Sequence, residues 1–236
     1  MRGVFRCGQG DRVDTVKTYQ VVIQGLTPIL QHRFSDEAQV NSGKGTRAVK
    51  IKDETPREQA EKAAYRTDGG YLYHPGSSIM RLMRDAGSSH KQRGSRKSCK
   101  YIVPAAVRVF EDQIPLYAAD AQTPLDDFEV DSRAVVIPST KGRIMRHRPR
   151  CDVWTARFSL VINEDVLGAE TIRQFLDEGG QRIGIGDFRP EKGGPFGVFQ
   201  VNLWEELEAA PLLAPPTVTR SNPGSTPGLK RGRPDG

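Results

Sequence analysis

Acidic residues are missing from two long stretches of this chain. Ala86 to Phe110 holds six Lys/Arg and no Asp or Glu, and so does Ser132 to Cys151. These two segments carry +12 in a chain of net charge +6, which leaves −6 for the remainder. An acidic body bearing two purely basic segments has the electrostatic footprint of a polyanion binder. Cysteine is also scarce. Cys7, Cys99 and Cys151 are odd in number and far apart, with no CxxC and no histidines paired at ligand spacing. That argues against a disulfide framework or a zinc site and suits a reducing cytoplasm, so neither metal nor cofactor is expected. No apolar run approaches the roughly 20 residues of a membrane span, and Met1 to Cys7 lacks the apolar stretch of a signal peptide.

Glycine, by contrast, is concentrated. Seven glycines lie between Gly179 and Gly197, with Ile183, Ile185, Phe188 and Arg189 embedded among them. Glycine serves where backbone takes positive φ or approaches another group closely, so this is a shaped loop rather than a linker. A second informative stretch is His74-Pro-Gly-Ser-Ser-Ile-Met-Arg-Leu-Met-Arg84. Ser77 or Ser78 is expected to cap a helix with Ile79, Leu82, Met83 and Ala86 as its buried stripe. Arg81 and Arg84 fall together off that stripe, and the free N–H groups of an exposed helix start suit an anion. The third is Lys141 to Arg150, where five of ten residues are Lys or Arg, interleaved with Ile144, Met145 and His147. Cations neutralise phosphates while apolar or planar side chains stack on bases. The loop His90 to Lys100 adds Lys91, Arg93, Arg96, Lys97 and Lys100.

The patterning predicts strands at Lys17–Leu26 (Tyr19, Val21 and Ile23 inward), Tyr71–Tyr73, Tyr101–Phe110, Gln113–Ala118, Ser132–Pro138, Trp154–Ile162 and Phe196–Leu203. A capping box at Thr55-Pro-Arg-Glu58 starts a helix running to about Arg66, read as a surface insertion. Another helix, Gly168 to Glu178, is expected to stop at Gly179-Gly180. Residues 1–16 read as a polar leader. Residues 209–236, rich in Pro, Ser, Thr and Gly, read as a disordered tail ending Lys230-Arg-Gly-Arg-Pro234, similar to the core of an AT-hook. The intervening residues 17–208 are long enough for one core. With insertions at about 35–68, 88–100 and 139–151 set aside, the order of elements is a split β-α-β pattern. The expected class is α+β, a ferredoxin-like or RRM-like antiparallel sheet with helices on one face.

Three stretches carry a resemblance to a known family: the first strand into Gly25-Leu-Thr-Pro28, the Pro-Gly-Ser-Ser helix start ending in arginine, and Gly184-Ile-Gly-Asp-Phe-Arg-Pro with Gly193-Gly-Pro-Phe-Gly-Val-Phe. They resemble the RAMP superfamily, RRM-derived proteins that include the backbone subunits of CRISPR effector complexes, and among these the short phage-type relatives. The resemblance implies a protein that holds single-stranded nucleic acid in a basic groove and coats it as a head-to-tail filament, in a prokaryotic cell or a phage-infected host; with no base–nucleophile constellation in the sequence, no catalytic activity is expected. Arg81, Arg84 and Arg189 would be groove contacts, with Gly184, Gly186, Gly193 and Gly194 against the nucleic-acid backbone. Lys91, Arg93, Arg96, Lys97 and Lys100 would add charge. Lys141, Arg143, Arg146, His147, Arg148 and Arg150 would form a hairpin thumb. Resemblance to guide-binding subunits favours RNA; the shortness and the Arg-Gly-Arg-Pro tail tip the expectation narrowly to single-stranded DNA. Three alternatives stand beside it: a guide-RNA-binding backbone subunit; a RAMP ribonuclease using His32 and Asp36, which otherwise read as a surface histidine and a helix cap; and a protein-only mimic or inhibitor of such a complex.

Overall fold

The computed structural model describes residues 15–34, 54–92, 94–136 and 142–208. Residues 1–14 of the leader, Asp36, Arg93, Lys141 and the tail from residue 209 lie outside the described residues. Among the described residues no helix is long and apolar enough to cross a membrane.

In chain order, β1 (Val16–Gly25) leads through a short turn into β2 (Ile29–Leu30). Next come α1 (Pro56–Lys62), β3 (Tyr73–Pro75) and α2 (Gly76–Ala86). A four-residue helix α3 (Val103–Ala106) precedes β4 (Val107–Val109) and β5 (Gln113–Tyr117). The hairpin β6 (Glu129–Val136) and β7 (Arg143–Cys151) is followed by β8 (Thr155–Asn163), α4 (Ala169–Arg182) and β9 (Phe199–Leu207).

The main sheet runs β3-β5-β8-β1-β9, with β4 also paired to β8. β8 and β9 flank β1 antiparallel, and β4 and β5 share the far edge of β8. If β4 and β5 count as one lane, the four lanes follow the split β-α-β order, fourth, first, third, second. This is the expected ferredoxin-like α+β architecture. Alternation decides the core face: Tyr19, Val21 and Ile23 of β1 and Ala156, Phe158, Leu160 and Ile162 of β8 are buried. They meet Ile79, Leu82 and Met83 of α2 and Ile172, Phe175 and Leu176 of α4.

A second sheet, β2-β7-β6, stands apart from the first. Trp154 ties the two together. It is fully buried between β7 and β8, and its Nε1 donates to the Thr27 carbonyl at 2.9 Å.

Several local expectations change. Tyr101–Phe110 is a 3-10 turn and α3, with strand only at Val107–Val109; Pro104 sits in the first turn of α3, where its missing N–H costs nothing. Neither Ser77 nor Ser78 caps α2. The N-cap is Pro75, without a side-chain hydrogen bond, and Ser78 Oγ instead meets His74 Nε2 at 2.5 Å. Helix α4 passes through Gly179 and Gly180 and stops at Gly184, whose φ of +70° closes it. The two glycines are spent on packing: a Cβ at 179 would lie 2.3 Å from Leu82, and one at 180 would lie 2.7 Å from the Phe199 carbonyl oxygen. The capping box at Thr55 and Glu58 is present, but α1 ends at Lys62. That helix is no mere surface insertion. Ala60 is fully buried, and the Arg57 guanidinium lies 3.9 Å from the Phe128 ring centre, just before β6.

Candidate nucleic-acid interface

The turn after β2, the start of α2 and the glycine-rich loop enclose a cleft of about 360 Å³. The loop docks on β2 by backbone hydrogen bonds: Asp187 N–H donates to Leu30 at 2.8 Å, and Gly197 N–H to Pro28 at 2.8 Å. Three of its four predicted contact glycines serve this internal packing. A Cβ at Gly186 would lie 2.5 Å from the Leu30 oxygen, one at Gly184 2.8 Å from Pro190, and one at Gly194 would overlap the Phe188 carbonyl. Gly193 has open space around it. Phe188 holds φ of +48°, an uncommon conformation for a non-glycine residue, with its ring partly exposed.

Arg81 and Arg189 line the cleft, as expected of groove contacts. Both are already engaged. Arg81 lies 3.3 Å from Asp85 and 3.5 Å from Glu191, and Arg189 pairs with the other oxygen of Glu191 and donates to the Gly186 carbonyl at 3.0 Å. Arg84 stands outside the cleft, 3.5 Å from Asp85, and Lys100 reaches Asp85 at 4.0 Å. Lys91, Arg96 and Lys97 are exposed on a loop that Lys91 and Ser98 close by a bridge.

The thumb segment forms a hairpin, with Val136 opposite Arg143 as its outermost described pair. Its basic residues have different fates. Arg143 and Arg146 are exposed, Arg150 pairs with Asp152, and His147 Nδ1 meets Ser132 Oγ at 2.7 Å. Arg148 is buried, its Nε 2.6 Å from Asp187 Oδ2. The N–H is not directed at that oxygen, so the contact is an ion pair without a formed hydrogen bond. Arg148 is thus a structural cation rather than a free one, because the glycine-rich loop folds an acid onto it.

Register makes a surface of these residues. Opposed residues of an antiparallel pair share a face, so Asp131 with Arg148, Arg133 with Arg146, and Val135 with Ile144 point one way. That face looks toward the glycine-rich loop, since the Arg133 guanidinium lies 4.7 Å from the Phe196 ring centre. From the cleft outward the cations therefore run Arg189 and Arg81, then Arg148, then Arg146 and Arg133. Arg143 and His147 face the other side.

No protein-family model matches the chain, and no curated protein matches it in sequence. Solved structures do. A chain of the Type III-B Cmr-beta complex bound to cognate target RNA aligns at 14% identity and TM-score 0.48 over 83% of this chain. The alignment takes in 62% of that chain, so this protein spans less than two thirds of its length. Cmr6 from Pyrococcus furiosus aligns at 10% identity and TM-score 0.39, over 81% of this chain and 100% of that one. The likeness is one of fold.

The cleft also holds residues outside the predicted groove contacts, among them His32, named above only for the ribonuclease alternative. His32 is half-exposed, with Nδ1 3.2 Å from Asp187 Oδ2. That hydrogen bond, and after it Arg148, holds the Asp187 carboxyl at about 2 despite partial burial. Gln31 is buried and satisfied, bridging the Tyr73 carbonyl and the Tyr65 N–H at 2.9 Å each. His74 is 4% exposed, and its Nδ1 has no partner among the described residues. Burial, reinforced by Arg189, lowers its pKa to about 4. These residues come from segments far apart in the chain, so no spacing announced them. Arg133 had a signal in its place in an acid-free segment, and His32 had one as a candidate of the ribonuclease alternative. Among the described residues no three His, Cys, Asp or Glu side chains gather as a metal would require. Cys99 and Cys151 are separate, buried thiols, the latter pushed up to about 12 by burial.

Proposed function

We propose that this protein binds single-stranded nucleic acid through its sugar–phosphate backbone, without catalysing a reaction on it. The observation that carries this reading is the row of arginines leading from the cleft along one hairpin face. Arg189, Arg81, Arg146 and Arg133 neutralise successive phosphates on either side of Arg148, which Asp187 keeps as a structural cation, while half-exposed Phe188 and Ile144 beside them offer planar or apolar surface to bases. No base-edge reading is built in, so binding is indifferent to sequence. One protomer's row engages only a few phosphates, and longer strands are coated by successive copies placed head to tail. Single-stranded DNA is preferred over RNA, on the support of the Lys230-Arg-Gly-Arg-Pro234 segment.

The test is binding of the purified full chain to single-stranded DNA, single-stranded RNA and duplex of equal length, at two salt concentrations, with particle size measured on the same samples. Tight, salt-weakened binding to single strands, with particles that grow with strand length, is expected. Failure to bind any of them would reassign the basic face to an acidic protein partner.

A further inference from the structure

The cleft's arginines are held by carboxylates of the same chain, and the geometry of that arrangement marks a ligand position. The two oxygens of Glu191 are divided between Arg81 and Arg189, and Lys192 approaches at 3.9 Å. A carboxylate in such a fork occupies the place a phosphate takes, because guanidinium groups bind both anions through paired oxygens. Behind it opens the start of α2, an 11-residue helix whose first turn carries Ser77 and Ser78, has no side-chain cap and contains no acid. The Gly76 N–H is taken by the Asp112 carbonyl at 2.8 Å, but the uncapped N–H groups of Ser77 and Ser78 and the positive end of the helix dipole favour an anion there. The independent sign of a missing ligand is His74, more than nine-tenths buried in the cleft wall. Its Nε2 is taken by Ser78, while its Nδ1 is left without a partner. A buried polar atom in that condition costs free energy unless something else satisfies it.

We propose that the cleft is a single-phosphate pocket in which Glu191 stands in for the ligand. One phosphate of a bound strand displaces the Glu191 carboxylate from Arg81 and Arg189, accepts from the N–H groups at the start of α2, and completes the hydrogen bonding of His74. This rests on the single-strand reading above and adds to it a residue that tunes affinity: Glu191 competes with every incoming phosphate and keeps the empty cleft from binding anions indiscriminately.

The experiment uses the full chain and Glu191→Gln, which keeps the shape and removes the charge. Binding to a labelled oligothymidylate is read by anisotropy. Binding of inorganic phosphate is read separately, by the ring-nitrogen resonances of the four histidines, with His74 assigned by its loss in His74→Gln. Glu191→Gln is expected to tighten both ligands by about two- to fivefold, the range that releasing a partly exposed ion pair allows. Phosphate should move the His74 resonances more than those of the other three. If the oligonucleotide binds in a salt-dependent way but Glu191→Gln leaves its affinity unchanged or weakened, the pocket is overturned and the single-strand reading stands. If no strand binds while phosphate still shifts His74, and more readily in Glu191→Gln, the pocket stands and the single-strand reading falls. Silence from both ligands overturns both.

Discussion

Asp187 holds together three parts of the chain that sequence places far apart. Its carboxylate meets His32 beyond β2 and Arg148 of β7, while its own N–H is bonded to Leu30. A carboxyl that titrates near 2 when folded, against an ordinary 3.8, stabilises the fold fully above about pH 4. That contribution is lost as pH falls through 2, because the unfolded chain takes up the proton first. The depression corresponds to about 2 kcal/mol. Asp187→Asn should therefore cost about 2 kcal/mol near neutral pH and flatten the decline in stability between pH 4 and 2, as followed by urea melts at each pH. A mutant whose acid limb stayed as steep as the parent's would show that other carboxyls govern it. Burial of the Arg148 guanidinium makes the same contact sensitive from the other side.

Among the elements, α4 shows how packing overrides local preference. Glycine in a helix interior is about 1 kcal/mol worse than alanine, yet two adjacent glycines lie within this helix. Both face crowded neighbours, Leu82 of α2 for Gly179 and the backbone of β9 for Gly180. Leu82 is a side chain that can adjust; the Phe199 carbonyl belongs to a paired strand and cannot withdraw without breaking register. Gly180→Ala should accordingly destabilise by about 2 kcal/mol despite its better propensity, and Gly179→Ala by less. Thermal melts of the two variants check the order; equal costs would mean that α4 shifts as a body. The position matters for function, because α4 delivers the chain into Gly184 and hence into the cleft.

Across the protein, the two basic segments do not act as uniform patches. The hairpin presents exposed Arg143 and Arg146, whereas Arg148 is sealed at its base, 8% exposed. Reversing the exposed charge on the cleft-side face, Arg146→Glu, should leave the melting temperature within a degree or two while lowering the salt slope of single-strand binding by about 0.7, the value for one phosphate contact on a single strand; reversing Arg143, on the opposite face, should leave the slope unchanged. Arg148→Glu sets a carboxylate against Asp187 and should cost about 3 kcal/mol, or roughly 6–12 °C in a chain of this size. Calorimetry beside binding isotherms separates the two outcomes. An unchanged salt slope in Arg146→Glu would remove the hairpin from the interface.

What local sequence determined, it determined through short-range physics. Alternation placed Tyr19, Val21 and Ile23 of β1, and Ala156, Phe158, Leu160 and Ile162 of β8, on the core face, because strand side chains switch sides at every residue. The stripe Ile79, Leu82, Met83 and Ala86 and the Thr55–Glu58 capping box are likewise complete within one or two turns. From such elements the antiparallel α+β topology was legible. Charge counts were legible as well, since they are sums along the chain. Tertiary structure decided what those charges meet. Pairing Arg148 with Asp187, Arg189 and Arg81 with Glu191, and Arg133 with the Phe196 ring brings together segments whose proximity exists only once both sheets and the glycine-rich loop have docked. The same docking turned Gly179 and Gly180 from a stop signal into a packing surface, and enclosed His74 with one nitrogen unsatisfied. Contacts of that kind depend on distances in space, and no periodicity or spacing along the chain encodes them.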